Sequence, residues 1–170
     1  MSDVPIEETT PAGRLREDFD RTFAAPFAET RIDVEQILAV RLKGDLIGVP
    51  VREIDGVERA APVVPLPSDH PGLLGLSGYR GAIVPVYDLG ALLGYEEALR
   101  APRWFFLCGK GDPLALAMDE LPEYRTVPTT AFHAPYGNSR RHVQGFARIG
   151  DAVGAIVSVP SIVRGIREGS

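Results

Sequence analysis

From residue 36 onward the chain is a succession of short apolar runs, each cut within a few residues by Gly, Pro or Asp. QILAVRL and LIGVPV are joined by Lys43-Gly44-Asp45, and WFFLCG and LALAMD flank Lys110-Gly111-Asp112. A Gly-Asp pair between two such runs is a hairpin signal. GLLGLSG and AIVPVY bracket a Tyr79-Arg80-Gly81 corner, VERAAPVVPLP is extended and broken by prolines, and YRTVP, VQGFARIG and AVGAIVS continue the pattern. Runs this short cannot build a helical bundle, so the class is all-β. Asp88 and Ser158 are placed to N-cap the short helices LGALLG and VPSIVRG.

The pattern repeats. LKGDLIGVPVREI aligns with GKGDPLALAMDEL at an offset of 67 residues, and LLGLSGYRGAIVPVYDLGALLG with VQGFARIGDAVGAIVSVPSIVR at an offset of 70. Gly75 then meets Gly145, Val86 meets Ile156, and the cap Asp88 meets the cap Ser158. Two copies are too few for a solenoid, and they predict two similar β lobes, each a small partly closed barrel that hides its strand edges. Residues 1–34 stand apart as an acidic extension ahead of a 35–170 domain. Within it RLREDFDRTFAAPF sets Leu15, Phe19 and Phe23 on one face of a short predicted helix; the rest of residues 1–13 reads as disordered.

Charge narrows the partners. Residues 1–35 hold nine acids and four bases and so carry the whole net charge of −5, while residues 36–170 balance. With two lysines in the chain and a neutral body, the surplus of cations that nucleic acid binding needs is missing. No apolar stretch approaches the roughly 18 residues of a membrane span, and the N-terminus has neither the basic start nor the apolar core of a signal peptide. The single cysteine, Cys108, excludes an internal disulfide. A cytoplasmic protein is expected.

Candidate chemistry is sparse. Gly75-Leu76-Ser77-Gly78 approaches a nucleophile elbow, but Tyr79 stands where the motif needs glycine and a strand follows instead of a helix. A hydrolase would need Ser77 with His133 or His142. His70, His133 and His142 lack metal-ligand spacing, Gly109-Lys110-Gly111 lacks the rest of a phosphate loop, and Asp119-Glu120 lacks further carboxylates for calcium. No metal, cofactor or enzymatic activity is expected. What remains is Arg80, either a solvated turn residue or one presented to a partner.

GLLGLSGYRGAIVPVYDLGALLG resembles the signature of the CheW family of chemotaxis coupling proteins: Gly75, the Arg80-Gly81 corner, Ile83-Val84-Pro85-Val86, and Asp88-Leu89 opening a helix. GDLIGVPVREIDGVERAAPVVPLP, PLALAMDELPEYRTVP and VQGFARIGDAVGAIVSVPSIV resemble its other segments in unbroken order, over residues 36–166. The resemblance implies two five-stranded SH3-like barrels sharing a core, and a non-enzymatic adaptor. Such an adaptor joins the cytoplasmic tip of a methyl-accepting chemoreceptor to the regulatory domain of a CheA-type histidine kinase, in membrane-associated arrays that it does not itself enter by membrane insertion. The receptor-facing positions it implies are Ile54, Val57, Gly75 and Arg80. The family's glutamate partner of the arginine falls on Gly56, leaving Glu53 or Glu58 to substitute. Gly78 and Tyr79 replace the family's usual Asn and Leu, so a regulator that binds a kinase without conventional receptors is the alternative.

Overall fold

The computed structural model describes residues 33–70, 72–135 and 140–169. The acidic extension with its Leu15, Phe19 and Phe23 stripe lies outside the described residues. The described strands are β1 (Val34–Leu42), β2 (Asp45–Pro50), β3 (Gly56–Arg59), β4 (Val63–Val64), β5 (Leu73–Tyr79), β6 (Ala82–Asp88), β7 (Trp104–Cys108), β8 (Leu114–Met118), β9 (Glu123–Pro128), β10 (Phe132–His133), β11 (Val143–Ile149) and β12 (Ala152–Val157). Helix α1 (Leu89–Leu92) follows β6, and α2 (Val159–Glu168) follows β12. Both predicted caps form: Asp88 accepts from the Gly90 and Ala91 amides, and Ser158 accepts from that of Ser161. The second helix runs well past the single turn that VPSIVRG predicts.

The strands form two sheets with the orders β10-β11-β12-β2-β1-β9 and β3-β7-β8-β6-β5-β4. Five strands of each are long, and the sixth is a two-residue segment. The end strands of each sheet are one passage of chain. Strands β9 and β10 are separated only by the 3-10 turn Thr129–Ala131, and β3 and β4 only by residues 60–62. Each sheet therefore curls until its two edges meet in the same segment, which closes a small barrel and removes exposed edges.

The repeat and the barrel do not coincide. In the offsets of 67 and 70 residues, β1 to β6 correspond to β7 to β12, and the two strand orders are identical under that substitution. Yet each barrel takes the leading hairpin of one copy and the remaining strands of the other. The expectation that each copy folds into its own lobe is thereby corrected. The exchange is made by two parallel pairings, β12 with β2 and β6 with β8. Their registers agree: Ile156 faces Gly48 where Val86 faces Ala115.

Strand alternation explains how the barrels share a core. On β1, Ile37 and Ala39 point into the first barrel, while Val40 and Leu42 point to a central cluster. On β7 and β8, Phe105, Leu107, Ala115 and Ala117 fill the second barrel, while Phe106, Cys108, Leu114, Leu116 and Met118 join the same central cluster. The hairpins are thus buried on both faces, and their sequences read as continuous apolar runs. Helices α1 and α2 add Leu89, Ile162 and Ile166 to the centre.

Candidate functional site

The Arg80 corner is a two-residue hairpin turn. Arg80 and Gly81 have φ of +47° and +82°, the paired positive values of a type I′ turn. Lys43-Gly44 makes the same turn in the first hairpin, at +52° and +93°, with Lys43 Nζ 3.3 Å from Glu97. A positive φ at a residue with a Cβ is disfavoured, so neither turn is the least strained available to its hairpin. Arg80 differs in its surroundings. Its side chain is 76% exposed, with one guanidinium nitrogen 3.5 Å from a Glu58 carboxylate oxygen and the cation 5.0 Å from the Tyr79 ring centre. An exposed ion pair of this length contributes about 0–1 kcal/mol. The corner is splinted, while most of its donors still face outward.

The sheet beside it is apolar on the outside. Val64, Leu76 and Pro85 are cross-strand neighbours, and Ile83 lies opposite Gly78 on the same face. Ile83 is 75% exposed and Val64 65%. Their strand neighbours Val63 and Val84 point inward. A guanidinium at the rim of an aliphatic face is the chemistry of protein recognition: apolar surface to exclude water, and a fork of donors for a carboxylate or carbonyls.

The other implied positions do not gather at this corner. Gly75 is buried at a bulge of β5, with φ of +145°, and a Cβ built there would lie 2.0 Å from the Val64 carbonyl oxygen. It serves as a passage for backbone and offers no surface. Ile54 and Val57 are partly buried against the central cluster. Val57 points away from its neighbour Glu58, because successive residues of a strand face opposite sides. Of the two candidate carboxylates, Glu58 reaches Arg80. Glu53 is otherwise engaged: it accepts from the Val159 amide at 2.8 Å, at the start of α2, and from the Gln144 side chain at 3.4 Å.

The residues weighed for catalysis are occupied structurally. Ser77 is buried in the second barrel and donates to the Pro62 carbonyl at 3.0 Å. His133 lies on β10 of the first barrel, and His142 places Nδ1 2.9 Å from the Ser161 hydroxyl. Burial, and secondarily the Arg141 charge, lowers the His142 pKa. The buried Asp88 carboxylate accepts from three amides, of Gly90, Ala91 and Leu99. Burial, reinforced by Asp55, raises the Cys108 thiol to about 12, so at neutral pH it is no nucleophile. Among the described residues, no three His, Cys, Asp or Glu side chains converge as a metal site would require. No described helix is long and apolar enough to cross a membrane.

Two linked barrels with an exposed cationic corner define a protein-binding β module. The CheW-like domain matches residues 36–167, and the chain belongs to that family, the class of scaffolds and adaptors in chemotaxis-type signalling. Protein FrzA of Myxococcus xanthus is 41% identical over 61 residues, a stretch that spans 35% of this chain and 38% of that protein. The scaffolding protein TtCheW from Thermoanaerobacter tengcongensis shares the fold, with a TM-score of 0.65 at 19% identity, over 74% of this chain and 89% of that one.

Sequence reasoning missed Ile83 and Val64 as surface, because a valine- and isoleucine-rich run reads as core. The alternation of exposed Ile83 with buried Val84 was the available signal. The capping role of Glu53 joins residues 106 positions apart and left no local trace.

Proposed function

We propose that this protein is a non-enzymatic adaptor that couples the cytoplasmic tip of a chemoreceptor to the regulatory domain of a CheA-type histidine kinase. The observation that carries the reading is the Arg80 corner. An arginine is held in a positive-φ turn with its side chain 76% exposed beside the aliphatic face of Ile83 and Val64. Its weak pair with Glu58 can be exchanged for a carboxylate or helix-end carbonyls on a receptor at little cost. Ile54 and Val57, partly buried, contribute to this contact through the strand that carries Glu58. The outer surfaces of the barrels supply the kinase contact. Several weak contacts, engaged together in an array on the cytoplasmic face of the membrane, give firm coupling.

The test is capture from the native lysate with the wild-type chain and with Arg80→Ala. The reading expects kinase and receptor with the wild type, and kinase alone with the variant. Kinase without receptor from the wild type would point to a regulator that needs no conventional receptor. Neither partner would refute the adaptor reading.

A further inference from the structure

The internal repeat exposes an asymmetry between the barrels. In the second barrel, α2 runs from Val159 to Glu168, and its last turn lies over the barrel's flank. There Arg167 donates to the Asp112 carboxylate at 3.3 Å, His70 Nε2 lies 3.3 Å from the Ile166 carbonyl, and the Ile166 side chain is buried. The counterpart helix in the first barrel, α1, stops after Leu92. Gly94, with φ of +86°, ends it: the Gly94 amide donates to Ala91 and the Tyr95 amide to Gly90, both at 3.0 Å, in the pattern of a Schellman cap. Arg164 occupies the equivalent position in α2, and that helix continues.

The truncation leaves a cavity of about 340 Å³ on the first barrel. Its floor is aliphatic and aromatic, with Leu46, Leu93, Val143, Phe146 and Ala155, and Val153 forms a lip that is 64% exposed. Its rim carries Asp45 and Arg140, which the repeat equates with Asp112 and His70, the two residues that hold the end of α2. Here the rim satisfies itself. Arg140 bonds Asp45 at 2.9 Å and lies 4.3 Å over the Tyr95 ring, and the Tyr95 hydroxyl donates to Asp45 at 2.7 Å. With Asp45 already paired, the place calls for no further cation and offers apolar surface.

We propose that this cavity is a seat for one turn of a partner protein's helix, which inserts an aliphatic side chain where the second barrel buries its own Ile166. The second barrel supplies the template: the same floor positions, covered by a helix end anchored on a branched aliphatic residue. The volume lies at the lower end of ligand-sized clefts, about 300–1,000 Å³, and has room for one side chain and its flanking backbone. Because Phe146, Val153 and Ala155 stand on β11 and β12, the seat is part of a rigid sheet and needs no rearrangement to receive its occupant.

The probe is a helix-stapled peptide with the sequence of residues 158–169, titrated into the isotope-labelled full chain and followed by NMR. Neither kinase nor receptor is present, so this test can fail while the adaptor reading stands. The expected result is shifts centred on Leu46, Phe146, Val153 and Ala155. A peptide carrying Ile166→Ala should weaken binding about tenfold or more, which corresponds to about 1.4 kcal/mol. In the protein, Ala155→Leu fills the cavity, and Val153→Asp alters only an exposed lip; both should lose the shifts, the second with unchanged melting. The assignment is overturned if millimolar peptide shifts nothing, if the shifts fall on Leu76 and Ile83 instead, or if they survive Val153→Asp. Shifts at the cavity that grow with chain concentration alone would identify a second copy as the occupant and overturn the partner helix.

Discussion

Replacing Gly75 by alanine should be among the most damaging single-methyl changes in the molecule, and the repeat supplies its controls. At Gly75 two costs act together. The backbone sits at φ of +145°, where an L side chain is strained, and the new Cβ would lie 2.0 Å from the Val64 carbonyl oxygen and 2.7 Å from its carbon. Backbone strain of this kind costs about 1–3 kcal/mol, and overpacking that neighbours cannot relieve another 1–3. Val64 belongs to a closing strand paired to β5, so it cannot withdraw without opening the barrel. A loss of roughly 3–5 kcal/mol follows, and a melting temperature lower by about 10 °C or more at the usual 2–4 °C per kcal/mol. Gly145, its counterpart, has no positive φ, and its Cβ would come 2.7 Å from the His133 carbonyl oxygen, so Gly145→Ala should cost about 1–3 kcal/mol. Gly81→Ala meets nothing within 4 Å and carries only the turn strain at φ of +82°, about 1 kcal/mol. Urea unfolding monitored by circular dichroism should rank the three in that order. A Gly75→Ala variant within 1 kcal/mol of wild type would refute the reasoning and return Gly75 to the surface as a contact residue.

Two further outcomes follow from the seating of α2. Glu53→Ala removes the acceptor of the Val159 amide and should cost about 1–2 kcal/mol, with faster hydrogen exchange at the first turn of α2 and no such change in α1; equal exchange in both helices would deny Glu53 its capping role. His142 is held below its ordinary pKa of 6.5 by burial, then by Arg141, so the unfolded chain binds its proton first as pH falls. Stability should be full above about pH 6.5 and decline as pH drops through the lower folded-state value. His142→Gln should flatten that part of the profile in urea midpoints taken from pH 7.5 to 5, and an unchanged slope would assign it to other groups.

The sequence carried the hairpins, both helix caps and the repeat, because each is a local signal: a Gly-Asp turn, an Asp or Ser before a short apolar run, a glycine recurring 70 residues on. It did not carry the exchange of hairpins between the copies. Strand β2 would pair as well, by pattern alone, with β6 as with β12, and only the two-sided burial of β1, β2, β7 and β8 decides it. The Arg80 corner was legible as a turn. Its partner was narrowed to Glu53 or Glu58, a choice that rests on which way each side chain leaves the chain. Gly75 was legible as a glycine that matters, yet the reason lies in a carbonyl eleven residues away on a neighbouring strand. The cavity beside Tyr95 was invisible, since an empty place has no residues of its own.

The central claim is that this chain bridges receptor and kinase through separate surfaces. The most direct measurement is co-sedimentation of a purified kinase regulatory domain with receptor-bearing vesicles, titrated with wild-type chain and with Arg80→Ala. Arg80 is exposed and its loss should move stability by no more than about 0.5 kcal/mol, so a change in bridging reports contact and not unfolding. The account predicts kinase in the pellet only with the wild type, and a variant that binds the kinase domain in solution yet leaves it in the supernatant. Equal bridging by wild type and variant, or none by either, would contradict it.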